Sequence, residues 1–74
     1  MHDANKLQNP TATTIRDARL AAGLTQSEAA HVARVSLRTW QHWEAGDRAM
    51  PPGLFELFML KTGQWTFNQG EGAS

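Results

Sequence analysis

The sequence predicts an all-α fold, one compact domain of four to five short helices. Three observations carry that expectation. From Thr11 onward, inward-type residues recur at helical rather than strand spacing, beginning with Ile15, Ala18, Arg19 and Ala22 at i, i+3, i+4 and i+7. Residues that open helices stand ahead of each such stretch, and glycines stand behind most of them. The chain has 74 residues and no cysteine, so it is near the lower size limit for one core and carries no disulfide. A domain that small gains from a partner chain, and self-association is the expected route to extra buried area.

The first segment, 1–10, is polar and aperiodic and reads as a flexible arm without the apolar stretch of a signal peptide. The first helix is expected over about 12–22, with Thr11, Thr13 or Thr14 as its N-cap and Gly23 just past its end. Thr25-Gln26-Ser27-Glu28 then forms a capping box, since Thr25 can accept from the amide of Glu28 while the Glu28 carboxylate reaches back. It opens a second helix, Gln26–Ala33. Ala29, Ala30 and Ala33 on its inner face imply that another helix passes close by. Ser36 is a new N-cap, and a third helix runs Leu37–Ala45 to a stop at Gly46. Only two or three residues separate the second and third helices, a spacing that suits a tight helix-turn-helix.

Asp47–Met50 reads as a loop, and Pro51-Pro52 pre-sets the first turn of a fourth helix. Along that helix Leu54, Leu57, Phe58 and Lys61 share a stripe, with Phe55, Met59 and Leu60 around it and Gly63 as its C-cap. The predicted organisation is therefore an arm, 1–10, a helical domain, 11–63, and a tail, 64–74. In the tail Trp65 and Phe67 stand at strand-like spacing. Phe55, Met59, Leu60, Trp65 and Phe67 are more apolar surface than one small core uses, so they are the candidate dimer interface.

Composition excludes several function classes. His2, His31 and His42 show no paired metal-ligand spacing, so neither a metal nor another cofactor is expected. No nucleophile–base set is visible, and the chain reads as a non-enzyme. No apolar run approaches a membrane span, so a soluble, cytoplasmic protein is expected. Seven basic and seven acidic residues give zero net charge, which by itself argues mildly against phosphate binding. The distribution argues the other way, because Arg34, Arg38 and Arg48 cluster in one short stretch beside His42.

The run Ile15-Arg16-Asp17-Ala18-Arg19, then Gly23 to Ala30, then Val35-Ser36, then Trp43-Glu44-Ala45-Gly46, resembles the Cro/Xre family of phage and bacterial repressors over about residues 12–62. The segment Ser36–Arg48 also resembles small phage repressors found beside anti-CRISPR genes. The resemblance implies a lambda-repressor-like fold, a homodimer, and a third helix that enters the major groove of DNA. It also implies that Gln26 meets a phosphate, where the positive end of a helix favours an anion. By the same resemblance Arg19 and Glu44 form a partly buried structural ion pair.

On the third helix, Trp40, Trp43 and Glu44 point one way and Arg38, Gln41, His42 and Ala45 the other. The second face is suited to base edges. Arg38 matches guanine O6 and N7, Gln41 matches adenine N6 and N7, and His42 is suited to donate to a guanine acceptor or a phosphate. Leu37 either covers a thymine methyl or staples the helix to its neighbour. Leu37, Arg38, Gln41 and His42 are thus the candidate base readers. Gln26, Arg34, Ser36, Thr39 and Arg48 are the candidate phosphate contacts, with Lys6 of the arm beside them. Arg34 stands where the family turn commonly has glycine, and a left-handed backbone there costs an arginine about 1 kcal/mol.

The expected function is a transcriptional repressor that binds a palindromic operator as a dimer and regulates its own operon, with no small-molecule effector. The alternative is an antitoxin or protein-binding adaptor on the same scaffold.

Overall fold

The computed structural model describes residues 9–66, and among them the chain forms four α-helices. They are α1 (Ala12–Ala21), α2 (Gln26–Ala33), α3 (Leu37–Ala45) and α4 (Pro52–Lys61). Each of the first three begins on a hydroxyl cap. Of the three threonines ahead of α1 it is Thr11 that caps, its Oγ1 accepting from the Thr14 amide at 3.1 Å. The capping box of α2 is complete: Thr25 Oγ1 accepts from the Glu28 amide at 3.0 Å, and the Thr25 amide donates to Glu28 Oε1 at 2.9 Å. Ser36 caps α3 by accepting from the Thr39 amide at 3.1 Å. Helix α4 has no side-chain cap and relies on Pro52 in its first turn.

All four helices also end alike. A left-handed residue follows each, and the amide after it turns back to a carbonyl five residues earlier, a closure that satisfies the orphan carbonyls of a helix end. The four closing bonds run from Leu24 to Arg19, Val35 to Ala30, Asp47 to His42 and Gln64 to Met59, at 3.2, 3.0, 3.0 and 2.9 Å. Three of the left-handed residues are glycines, and the fourth is Arg34, at φ 62° and ψ 41°. The turn between α2 and α3 therefore keeps its left-handed geometry despite the side chain, at a cost of about 1 kcal/mol.

Helix α3 packs against α1 and α2, while α4 crosses α2. The three alanines of α2 are buried at those crossings, as their size requires. Trp40 is the centre of the core. Its ring lies 5.6 Å from Trp43 in an edge-on arrangement and 5.1 Å from Phe58. Ile15, Met50 and Phe58 are the other large side chains that are fully buried.

Several expectations are corrected on the α4 side. Phe55 and Phe58 face the core, whereas Leu57, on one stripe with Leu54, Phe58 and Lys61, is exposed. The Phe58 ring fills the space beside Trp40, and that sets the rotation of the helix. Phe55, expected at a dimer surface, is only 8% exposed and belongs to the protomer core. The expected loop through Met50 is found, and Met50 at its end is fully buried, its carbonyl accepting from Asn9 Nδ2 at 2.8 Å. Trp65 itself lies in a bend rather than a strand. The Gln64 and Trp65 amides both turn back to the Met59 carbonyl, and Gln64 Nε2 donates to the Ala18 carbonyl at 3.0 Å. That fold-back lays Trp65 edge-on against Phe55 at 5.7 Å. Lys6 and Phe67 lie outside the described residues.

Candidate nucleic-acid interface

The two faces of α3 separate as the spacing predicts. Trp40 and Trp43 are buried, while Leu37, Arg38, Gln41 and Ala45 are exposed on the opposite side. A helix held by two indoles on one side presents the rest to solvent as a rigid surface.

Glu44 fixes the angle at which it does so. Its carboxylate accepts from Arg19 Nε at 2.6 Å and Arg19 Nη2 at 3.1 Å, from Gln26 Nε2 at 3.1 Å, and from Trp40 Nε1. Arg19 Nη1 donates in turn to the Leu24 carbonyl at 3.0 Å. The side chains of Arg19 and Glu44 are 13% and 7% exposed. One carboxylate thereby ties α1, the start of α2 and the body of α3 together. Burial alone would raise the pKa of Glu44. The hydrogen bonds from Arg19, Trp40 and Gln26, with the charge of Arg19, outweigh it and leave the pKa below its ordinary value. The hydrogen bond to Glu44 correspondingly raises the pKa of Arg19, against the opposing effect of its burial.

The network continues outward. Gln26 Oε1 accepts from Gln41 Nε2 at 3.2 Å. Because the carboxylate of Glu44 can only accept, the amide of Gln26 must turn its nitrogen inward and its oxygen toward Gln41. Gln41 keeps its own oxygen and one N–H free, the pair needed to grip adenine N6 and N7. The spacing reading separated Glu44 from Gln41 by face and missed this link through Gln26. Its only trace in the sequence is that Gln41 and Glu44 lie one turn apart on the side of α3 facing the capped start of α2.

The remaining candidates surround that surface. Arg34 and Arg48 are exposed at the two ends of α3. Ser36 Oγ donates to Thr39 Oγ1 at 3.0 Å, which leaves the Thr39 proton free to donate elsewhere. His42 is half-buried at the end of the exposed face, its Nδ1 lying 3.3 Å from Asp47 Oδ2. Zero net charge misleads here, because the one acid on the body of α3 is spent internally on Arg19, while Arg34, Arg38 and Arg48 stay outside. Of the dimer candidates, Met59 and Leu60 are half-buried and Trp65 is 44% exposed. Beside them, α1, α4 and Gln64 line a shallow groove floored by Ala18, Ala21, Phe55 and Met59. Among the described residues no group of His, Asp or Glu is placed to hold a metal, and no helix is long and apolar enough to cross a membrane.

Two short helices joined by a left-handed turn, the second offering an open polar face beside clustered arginines, define a helix-turn-helix DNA-binding regulator. The sequence matches the family described as helix-turn-helix domain over residues 12–59, more than half its length, and the chain belongs to that family. No curated protein matches it.

Proposed function

We propose that the chain is a transcriptional repressor that binds a two-fold symmetric operator as a homodimer and controls its own operon. Helix α3 of each subunit enters the major groove, with half-site centres about 10 bp apart. Leu37, Arg38, Gln41 and His42 meet base edges. Arg34, Ser36, Thr39 and Arg48 meet phosphates, and Gln26 joins them with the N–H that Glu44 leaves free. Subunits meet through Met59, Leu60 and Trp65, together with the tail beyond them. Occupancy of promoter DNA is the whole of the mechanism, with no effector.

One observation carries this reading. The side of α3 away from its two indoles is open, and it carries Arg38 and a Gln41 already oriented from behind. The deciding experiment is Arg38→Ala at constant salt. Arg38 is exposed, so the fold is kept and the loss falls on specificity. Preference for the operator over random duplex drops by about tenfold or more, the worth of one bidentate guanine contact. Unchanged preference would remove α3 as the reader.

A second reading, an antitoxin or adaptor on the same scaffold, draws on the exposed Trp65 indole. Gel filtration of the purified chain separates the two readings. A stable self-dimer supports the repressor, and a monomer that dimerises only in a complex with another protein supports the adaptor.

A further inference from the structure

We propose that Asp47 fixes the tautomer of His42, so that its ring offers the groove an acceptor and selects a base with an exocyclic amino group, adenine or cytosine. The base assignment rests on the reading of α3 as the groove helix. The tautomer does not.

The residue that closes a helix end commonly makes an apolar contact with the last turn. Leu24 and Val35 do so after α1 and α2, packed against the core. After α3 the same place is taken by Asp47, and the residue it closes on is His42. The Asp47 amide donates to the His42 carbonyl at 3.0 Å, and Asp47 Oδ2 lies 3.3 Å from His42 Nδ1. The backbone closure, fixed by left-handed Gly46, thus holds the carboxylate at the ring. A carboxylate at neutral pH only accepts, so Nδ1 must carry the hydrogen. A neutral imidazole has one N–H and one bare nitrogen, which leaves Nε2 as the acceptor.

In the major groove the donors are the amino groups of adenine N6 and cytosine N4, while guanine shows two acceptors. A bare Nε2 pairs with the first two and sets lone pair against lone pair at guanine. The discrimination comes as much from the repelled base as from the accepted one. The acceptor role differs from the sequence expectation, in which His42 donates to a guanine acceptor or a phosphate. With Asp47 removed the ring is free to take either tautomer, and the preference at that base pair fades.

The test has two arms on the full chain. Long-range nitrogen–proton correlation spectra at alkaline pH, with the His42 signals identified by their loss in His42→Gln, show Nδ1 protonated and Nε2 bare. In Asp47→Ala, which alters an exposed side chain, that bias is lost. A protonated Nε2 in the unaltered chain overturns the proposal. In the second arm, selection from random duplexes enriches one base pair, in one strand orientation, at a position of each half-site that depends on Asp47, and Asp47→Ala reduces that preference about tenfold with the other positions unchanged. Selective binding with no position altered by Asp47→Ala overturns the base assignment. Loss of selectivity at every position in the unaltered chain overturns it through the reading of α3 instead, and the spectra then still judge the tautomer.

Discussion

Replacing Glu44 by methionine removes one charge and strands four N–H donors on three side chains. Arg19 keeps only the Leu24 carbonyl, while Trp40 Nε1 and Gln26 Nε2 lose their acceptor. Removing one partner of a buried pair costs about 3–5 kcal/mol, because the other charge is left without compensation. The 13% exposure of Arg19 lets some water reach it, so the lower end, about 3 kcal/mol, is expected. A chain of this length holds roughly 4–11 kcal/mol in total, so the variant spends a large part of its stability. Its melting temperature falls by roughly 12–24 °C. The double variant Arg19→Met with Glu44→Met removes both charges and leaves the neutral donors and the side-chain contact of the Leu24 carbonyl unpaired. It costs about 1–2 kcal/mol, less than either single change. Urea unfolding followed by the fluorescence of buried Trp40 and Trp43, at one fixed protein concentration, measures the cycle. Single effects that simply add, or a Glu44→Met cost below about 1 kcal/mol, would refute the account of Glu44 as the lock between α1, α2 and α3.

Three further outcomes follow from the same geometry. Arg34→Gly relieves the left-handed strain and stabilises the fold by about 1 kcal/mol, read as a rise in the urea midpoint. The same change makes the salt dependence of DNA affinity shallower, by about 2 in slope per dimer as one phosphate contact is lost from each subunit. Because the pKa of Glu44 is lowered in the folded state, its contribution is complete above the ordinary carboxylate range and is lost as pH falls through the lowered value. Acid unfolding of Glu44→Gln should accordingly be less steep than that of the unaltered chain. Gln26→Ala frees Gln41 from its support, and operator preference at the Gln41 position should fall more than affinity for random duplex, measured by competition binding.

The helix ends were legible in the sequence because their chemistry is local. A threonine three residues before a glutamate, or a serine ahead of an aromatic stretch, acts within one turn and needs no knowledge of the rest of the fold. The two faces of α3 were legible for a related reason: two tryptophans one turn apart leave little doubt about which side is buried. Helix α4 was not readable in this way. Leu54, Phe55, Leu57, Phe58, Met59 and Leu60 are apolar nearly all round, so periodicity does not single out an inward side. The choice is made by ring volume against Trp40, a tertiary fact. Met50 escaped for the opposite reason, being an isolated apolar residue outside any helix, buried only because the chain must cross the core to begin α4.

The site divides along the same line. Each proposed reading residue is visible one at a time, but not the connections behind it, since hydrogen bonds from Arg19 to Glu44, to Gln26 and on to Gln41 join three helices. Those connections bear on function as well as stability. A glutamine free to rotate presents donor and acceptor in either order and distinguishes adenine poorly from other partners. One whose nitrogen is committed to Gln26 has its order set before DNA arrives, and the entropy of ordering it has already been lost in folding. The carboxylate that holds α3 at its angle therefore also orients Gln41, and under the proposed function a change in the core at Glu44 is felt at the base edge.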